Sequence, residues 1–91
     1  DIYIINTEEK YLETSFKITE SLRNNNLTVI NDTLRRSLKS QMKDANRLQA
    51  LYTIIIGEDE IKNNKVTIKS MDKGTQDYVS FDKINSYFLK K

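Results

Sequence analysis

Three consecutive acids, Glu58-Asp59-Glu60, follow Gly57 directly after the apolar run Tyr52 to Ile56. Beyond them, Lys65-Val66-Thr67-Ile68-Lys69 alternates polar with apolar and ends on a lysine. Adjacent carboxylates are the donors that a hard cation such as magnesium takes, but neither a second acidic cluster nor a phosphate loop accompanies these. A polar turn is the plainest reading of the triplet. A third reading joins acid to lysine. Glu60 accepts hydrogen bonds, Lys69 donates them, and both stand near the ends of a hairpin that follows a buried strand. Such a pair can read the Watson–Crick edge of an unstacked base in single-stranded RNA. Tyr78, on the next stretch, is placed either to stack on a base or to pack on its sheet.

A second group carries charge. Arg35, Arg36, Lys39, Lys43 and Arg47 accompany a single acid, Asp44, on one helical segment, whereas the net charge of the whole 91-residue chain is only +2. Arg36, Lys39, Lys43 and Arg47 recur at helical spacing and form one stripe. A solvated polar face would look like this. So would a track for backbone phosphates, which lysine and arginine neutralise without reading sequence.

Composition removes other chemistries. The chain has no cysteine and no histidine, which excludes disulfides, thiolate metal sites and nucleophilic catalysis of the Ser-His or Cys-His kind. No apolar run approaches the roughly 18 residues of a membrane helix. With no signal peptide at its start, a soluble, cytoplasmic protein is expected. The chain opens on a strand rather than on a leader or methionine, which predicts one domain, residues 1–91, cut from a longer chain.

The elements that must position these residues follow from periodicity. Ile2 to Ile5 and Tyr52 to Ile56 read as strands covered on both faces. Thr7 is the expected cap of a helix whose inner face is Tyr11, Ser15, Ile18 and Leu22, ended by Asn24-Asn25-Asn26. Leu27 to Ile30 predicts a short strand, and Leu34, Leu38, Met42, Ala45 and Leu48 outline the basic helix. Val66 and Ile68 face inward from a half-exposed fourth strand. A turn at Asp72 to Thr75 leads to a fifth strand, Gln76 to Ser80. Ser80 is the expected cap of a last helix with Ile84, Tyr87 and Phe88 inward. The order β-α-β-α-β-β-β-α predicts a mixed five-stranded sheet, parallel across the helical crossovers and antiparallel through the last three strands.

Two segments, "SLKSQMKDANRLQALYTIIIGEDEI" and "VTIKSMDKGTQDYVSFDKINSYF", carry a resemblance to the C-terminal anticodon-binding domain of histidyl-tRNA synthetases, and the resemblance spans the chain. Its most specific part is an ordered set: a basic helix ending in alanine, a buried strand, Gly57-Glu58-Asp59-Glu60, then Val66-x-Ile68-Lys69. The family implies a three-layer α/β/α fold with sheet order 2-1-3-4-5 and strand 4 antiparallel to the rest. It implies that Glu60, Thr67, Lys69 and Arg35 face anticodon bases, while Arg36, Lys39, Lys43 and Arg47 hold the tRNA backbone. It further implies a parent enzyme, a cytoplasmic homodimer, that joins histidine to its tRNA using ATP and magnesium in a separate catalytic domain. Neither DNA nor a membrane is an expected partner. The related synthetases for threonine, proline and glycine usually place proline where this chain has Leu51. Two positions depart from the family: Asn26 and Gln49 stand where glycine is frequent, at helix ends. The other class left open is a synthetase-like protein-interaction or general nucleic-acid-binding module.

Overall fold

Every residue of β1 (Ile2–Asn6) is buried, because helices cover both of its faces. The computed structural model describes residues 2–31 and 38–89. After β1 come α1 (Leu12–Arg23), β2 (Val29–Asn31), α2 (Leu38–Arg47), β3 (Tyr52–Ile56), α3 (Glu58–Lys62), β4 (Lys65–Ser70), β5 (Gln76–Ser80) and α4 (Ile84–Leu89). One five-stranded sheet runs in the order β2-β1-β3-β4-β5. β1 is parallel to β2 and β3, and β4 is antiparallel to β3 and β5. The mixed sheet and strand order are those expected above.

The alternation of side chains divides the core into two layers. Ile2, Ile4, Ile54, Ile56, Val66 and Ile68 face α1 and α4, meeting Tyr11, Leu22, Ile84 and Phe88. Tyr3, Ile5 and Ile55 face the other way, against Met42, Ala45, Ala50 and Met71. The first layer extends across four strands, whereas the second is small and centred where α2 crosses the sheet. Leu48, expected inward, is 46% exposed, because α2 has ended at Arg47 and the chain there no longer follows the helical period.

Buried polar groups fix the end of β1. The Ile2 N–H donates to Thr28 O on the β2 side, and by alternation the backbone groups of Ile4 and Asn6 face the same side. The described pairing with β2 runs to Ile4↔Asn31, and Asn6 pairs with no described strand residue on that side. Gln41 of α2, 1% exposed, takes that place: its Nε2 donates to Asn6 O at 2.9 Å and its Oε1 accepts the Asn6 N–H at 3.3 Å. Beneath this, Ser15 Oγ accepts from the side chains of Asn6 and Asn31.

Two expected caps take other roles. Thr7 caps nothing; its N–H donates to Ile56 O at 3.1 Å, tying β1 to β3, and a 3-10 turn at Glu9–Tyr11 precedes α1. Ser80 precedes the 3-10 turn at Phe81–Lys83, but its hydroxyl makes no cap bond.

Both departures from glycine hold left-handed backbone, at φ 66° for Asn26 and 58° for Gln49. Each ends its helix in the paired-bond pattern of a Schellman motif. Leu27 N donates to Leu22 O and Asn26 N to Arg23 O; Ala50 N donates to Ala45 O and Gln49 N to Asn46 O. Leu22 and Leu27 belong to one apolar cluster, and Ala45 and Ala50 to the other, as the motif favours. Asparagine bears this conformation with local help from its side chain, whereas glutamine pays the steric penalty of its Cβ. Gln49→Gly is therefore expected to raise stability by about 0.5–1 kcal/mol in urea unfolding, with Asn26→Gly giving a smaller change. No gain, or a loss, from Gln49→Gly would show that the left-handed backbone at that position carries no strain for glycine to relieve.

Candidate nucleic-acid interface

Gly57 ends β3 and is buried. Its φ of −137° and ψ of −170° are extended, so a sharp exit is not what requires glycine here. Space is. A Cβ at this position would lie 2.8 Å from Glu60 Oε1, 3.1 Å from Thr7 Oγ1 and 3.3 Å from Thr7 Cγ2. The carboxylate of Glu60 thus rests on the bare Cα of Gly57.

The acidic triplet forms the first turn of α3, five residues long, instead of the expected polar turn. Acids are favourable at that end of a helix. Consecutive helical residues diverge by about 100°, so the three side chains separate. Glu58 and Asp59 are exposed, and Glu60 is half-buried. No group of three or more metal-ligating side chains forms among the described residues. Glu60 leans onto β4, where Thr67 Oγ1 donates to its Oε2 at 3.0 Å. Thr67 was expected to face a base; it is 4% exposed, and its hydroxyl donates to the acid.

Strand register completes the surface. Thr67 pairs with Ile55 on one side and Tyr78 on the other, and Lys69 lies between Thr53 and Gln76. Paired residues share a face, as do residues two apart on a strand. Glu60, Thr67, Lys69 and Tyr78 therefore belong to one face, the same face that α2 covers over β1. The small core beneath α2 stops at Ile55 and Met71; beyond it Glu60 lies over Thr67, and among the described residues no helix covers Lys69 or the β5 part of this face. Lys69 is half-buried, and Gln76 and Tyr78 are exposed. An acceptor fixed at one end and a flexible donor about 7 Å further along the strand from Thr67 make a surface suited to a planar polar group.

The described part of the basic stripe is continuous. Lys39, Lys43 and Arg47 are exposed, while Gln41 and Ala45 on the opposite side of α2 are buried. Arg47 forms an exposed ion pair with Asp44 at 3.2 Å, which is worth little in water. Lys39 and Lys43 make no ion pair with another described residue, so both remain available to an anion. Arg35 and Arg36 lie outside the described residues. On the far face of the sheet, burial and then a 2.7 Å hydrogen bond to Asp77 push the Tyr87 phenol up to about 12; this group belongs to the packing of α4.

Gln41 and the Thr7–Gly57 contact were not legible as site supports. Gln41 leaves one trace, a polar residue among the inward positions of an amphipathic helix. The need for glycine at 57 has none, because its cause is a side chain that returns from the following helix and one that arrives from another strand.

These features define a class: a three-layer α/β domain with polar groups mounted on the uncovered half of its sheet and cations on the solvent side of the crossover helix. The chain belongs to the anticodon binding domain family, whose model matches residues 1–91. Among curated relatives, a histidine–tRNA ligase of Staphylococcus saprophyticus is 40% identical over 90 residues, 99% of this chain and 21% of that protein. A histidine–tRNA ligase of Staphylococcus aureus is 36% identical over the same span. The chain thus covers about a fifth of the length of the curated relatives it matches. The apo histidyl-tRNA synthetase of S. aureus superposes with a TM-score of 0.88 at 35% identity, over 97% of this chain and 26% of that one. The RNA binding domain of threonyl-tRNA synthetase from Cryptosporidium parvum shares the fold, with a TM-score of 0.90 at 22% identity, over 99% of this chain and 23% of that one.

Gly57→Ala is expected to displace the far end of the Glu60 side chain and to destabilise the domain by no more than about 1 kcal/mol, the low end of overpacking. In a Glu60→Ala background the same change should cost less, because the nearest obstruction is gone. Urea unfolding of the four proteins measures the coupling, and strict additivity would mean that Glu60 does not rest on Gly57.

Proposed function

We propose that this chain is the anticodon-recognition domain of a histidine–tRNA ligase. Family membership and the histidine–tRNA ligases among its relatives support the reading. The observation that carries it is the Glu60 carboxylate, held by Thr67 at the edge of an uncovered sheet face that also bears Lys69. Glu60 and Lys69 read anticodon bases, Thr67 faces them from beneath, and Arg35 is a further base contact. Arg36, Lys39, Lys43 and Arg47 hold phosphates of the tRNA backbone. Lys39 and Lys43 suit that task most directly, being exposed and free of competing acids among the described residues.

In this reading the parent enzyme acts in the cytoplasm as a homodimer. Its own catalytic domain activates histidine with ATP and magnesium and transfers it to the tRNA. The present domain supplies recognition rather than chemistry. The sites for ATP and magnesium belong to the catalytic core, and no helix among the described residues is long and apolar enough to cross a membrane.

The test is aminoacylation by the full-length protein on histidine tRNA and on an anticodon-substituted version. Glu60→Ala should reduce the cognate-to-substituted ratio of kcat/KM by the equivalent of about 1–3 kcal/mol, the worth of one good base contact, with little change in melting temperature. An unchanged ratio, or an unfolded domain, would make Glu60 a structural residue. Replacing both Lys39 and Lys43 with alanine should weaken binding to all tRNAs alike and lower the salt slope by about 1 per lysine. A loss confined to the cognate anticodon would contradict the phosphate assignment.

A further inference from the structure

Tyr78 stands apart from the other tyrosines. The chain has five. Tyr3 and Tyr11 are buried, and Tyr52 and Tyr87 pack edge-to-face with each other and with Phe88. Tyr78 is 69% exposed. Among the described residues its ring meets no other ring, and its hydroxyl makes no hydrogen bond. It lies on β5, an edge strand of the sheet.

We propose that the Tyr78 ring is a stacking platform for one unpaired base, whose polar edge then meets Glu60 and Lys69. This rests on the anticodon-recognition reading above. The register argues for it. Tyr78 is the direct cross-strand partner of Thr67, which places their Cβ atoms about 4.5–5.5 Å apart. Thr67 Oγ1 is 3.0 Å from the Glu60 carboxylate. Lys69 lies two residues along the same face from Thr67, about 7 Å. The ring thus has an acceptor and a donor beside it, each about one base-width away. The chemistry of the neighbours restricts the occupant. A carboxylate accepts only, and the Thr67 hydroxyl already occupies one of its roughly four lone-pair sites. The base must therefore bring N–H donors, and a carbonyl oxygen for Lys69 completes the match. Guanine carries both on one edge. Thr67 acts here as a positioning residue: it orients Glu60 and lies beneath the base rather than reading it.

The experiment uses the full-length protein and a fluorescently labelled anticodon stem-loop RNA of histidine tRNA, followed by anisotropy. Companion RNAs carry an abasic site at each anticodon position in turn, and a blunt duplex of the stem serves as reference. Tyr78→Phe keeps the ring and should bind as the parent does. Tyr78→Ala should lose roughly 5- to 150-fold in affinity, the range that stacking on an aromatic side chain commands, with an unchanged melting temperature by circular dichroism. On the RNA abasic at one particular position, Tyr78→Ala and the parent should bind alike, since the partner of the ring is then missing. Unchanged affinity of Tyr78→Ala for the intact loop would overturn the proposal. So would an equal loss on every abasic loop, or a loss matched by Tyr78→Phe. If the parent bound the loop no better than the blunt duplex, the anticodon reading itself would fall. A preserved loop preference with an indifferent Tyr78 would overturn only the stacking role.

Discussion

The reciprocal hydrogen bonds between the Gln41 side chain and the Asn6 backbone are the contact on which the layout of this molecule depends. Among the described residues β1 runs two positions past its last pair with β2, so Asn6 presents a backbone N–H and C=O on that side with no described strand beside it. A buried amide without partners costs about 1–3 kcal/mol per group. A carboxamide presents an N–H and a C=O on the same edge, matching the N–H and C=O that one extended residue turns to the same side, so one side chain satisfies both. In doing so it fixes the depth and position at which α2 crosses the sheet. The depth determines which cations of α2 face water. The position determines how much of the sheet stays bare.

That bare half is possible because the two faces of the sheet are treated unequally. The face toward α1 and α4 carries isoleucine and valine across four strands and buries most of the apolar area. Most of the hydrophobic stabilisation resides there. The other face needs only a small cluster around Tyr3, Ile5 and Ala45, and beyond it the sheet can carry polar side chains at little cost to the core. A recognition surface mounted on strands whose reverse side is the main core inherits the rigidity of that core.

Within this frame Glu60 is constrained from two directions. The hydroxyl of Thr67 holds one carboxylate oxygen, and the Gly57 backbone lies under the other. Thr7 reaches the same spot from β1, and its backbone bond to Ile56 locks β1 to β3 at that edge. Two segments therefore meet this side chain, and a third, at Thr7, closes on the same glycine. Charged residues on exposed turns ordinarily sample many rotamers and lose entropy when they bind. Here part of that loss is incurred on folding.

Much of this was legible in the residues themselves. The apolar runs Ile2 to Ile5 and Tyr52 to Ile56 have no polar side to turn to water, so they had to become strands covered on both faces. The alternation about Val66 and Ile68 fixed which side chains of β4 face the core, and hence that Thr67 and Lys69 share the other face. Asn26 marked a helix end because few side chains tolerate left-handed backbone. The α3 turn, the true role of Thr7 and the reason for Gly57 were not legible, because their causes are remote in the chain. Thr7 bonds to a residue 49 positions away and Asn6 to one 35 positions away, and no local pattern encodes such a meeting. Local periodicity determines which side of an element is apolar. Only the packed sheet decided which polar groups lie next to one another, because their spacing is set by strand register and by where α2 comes to rest.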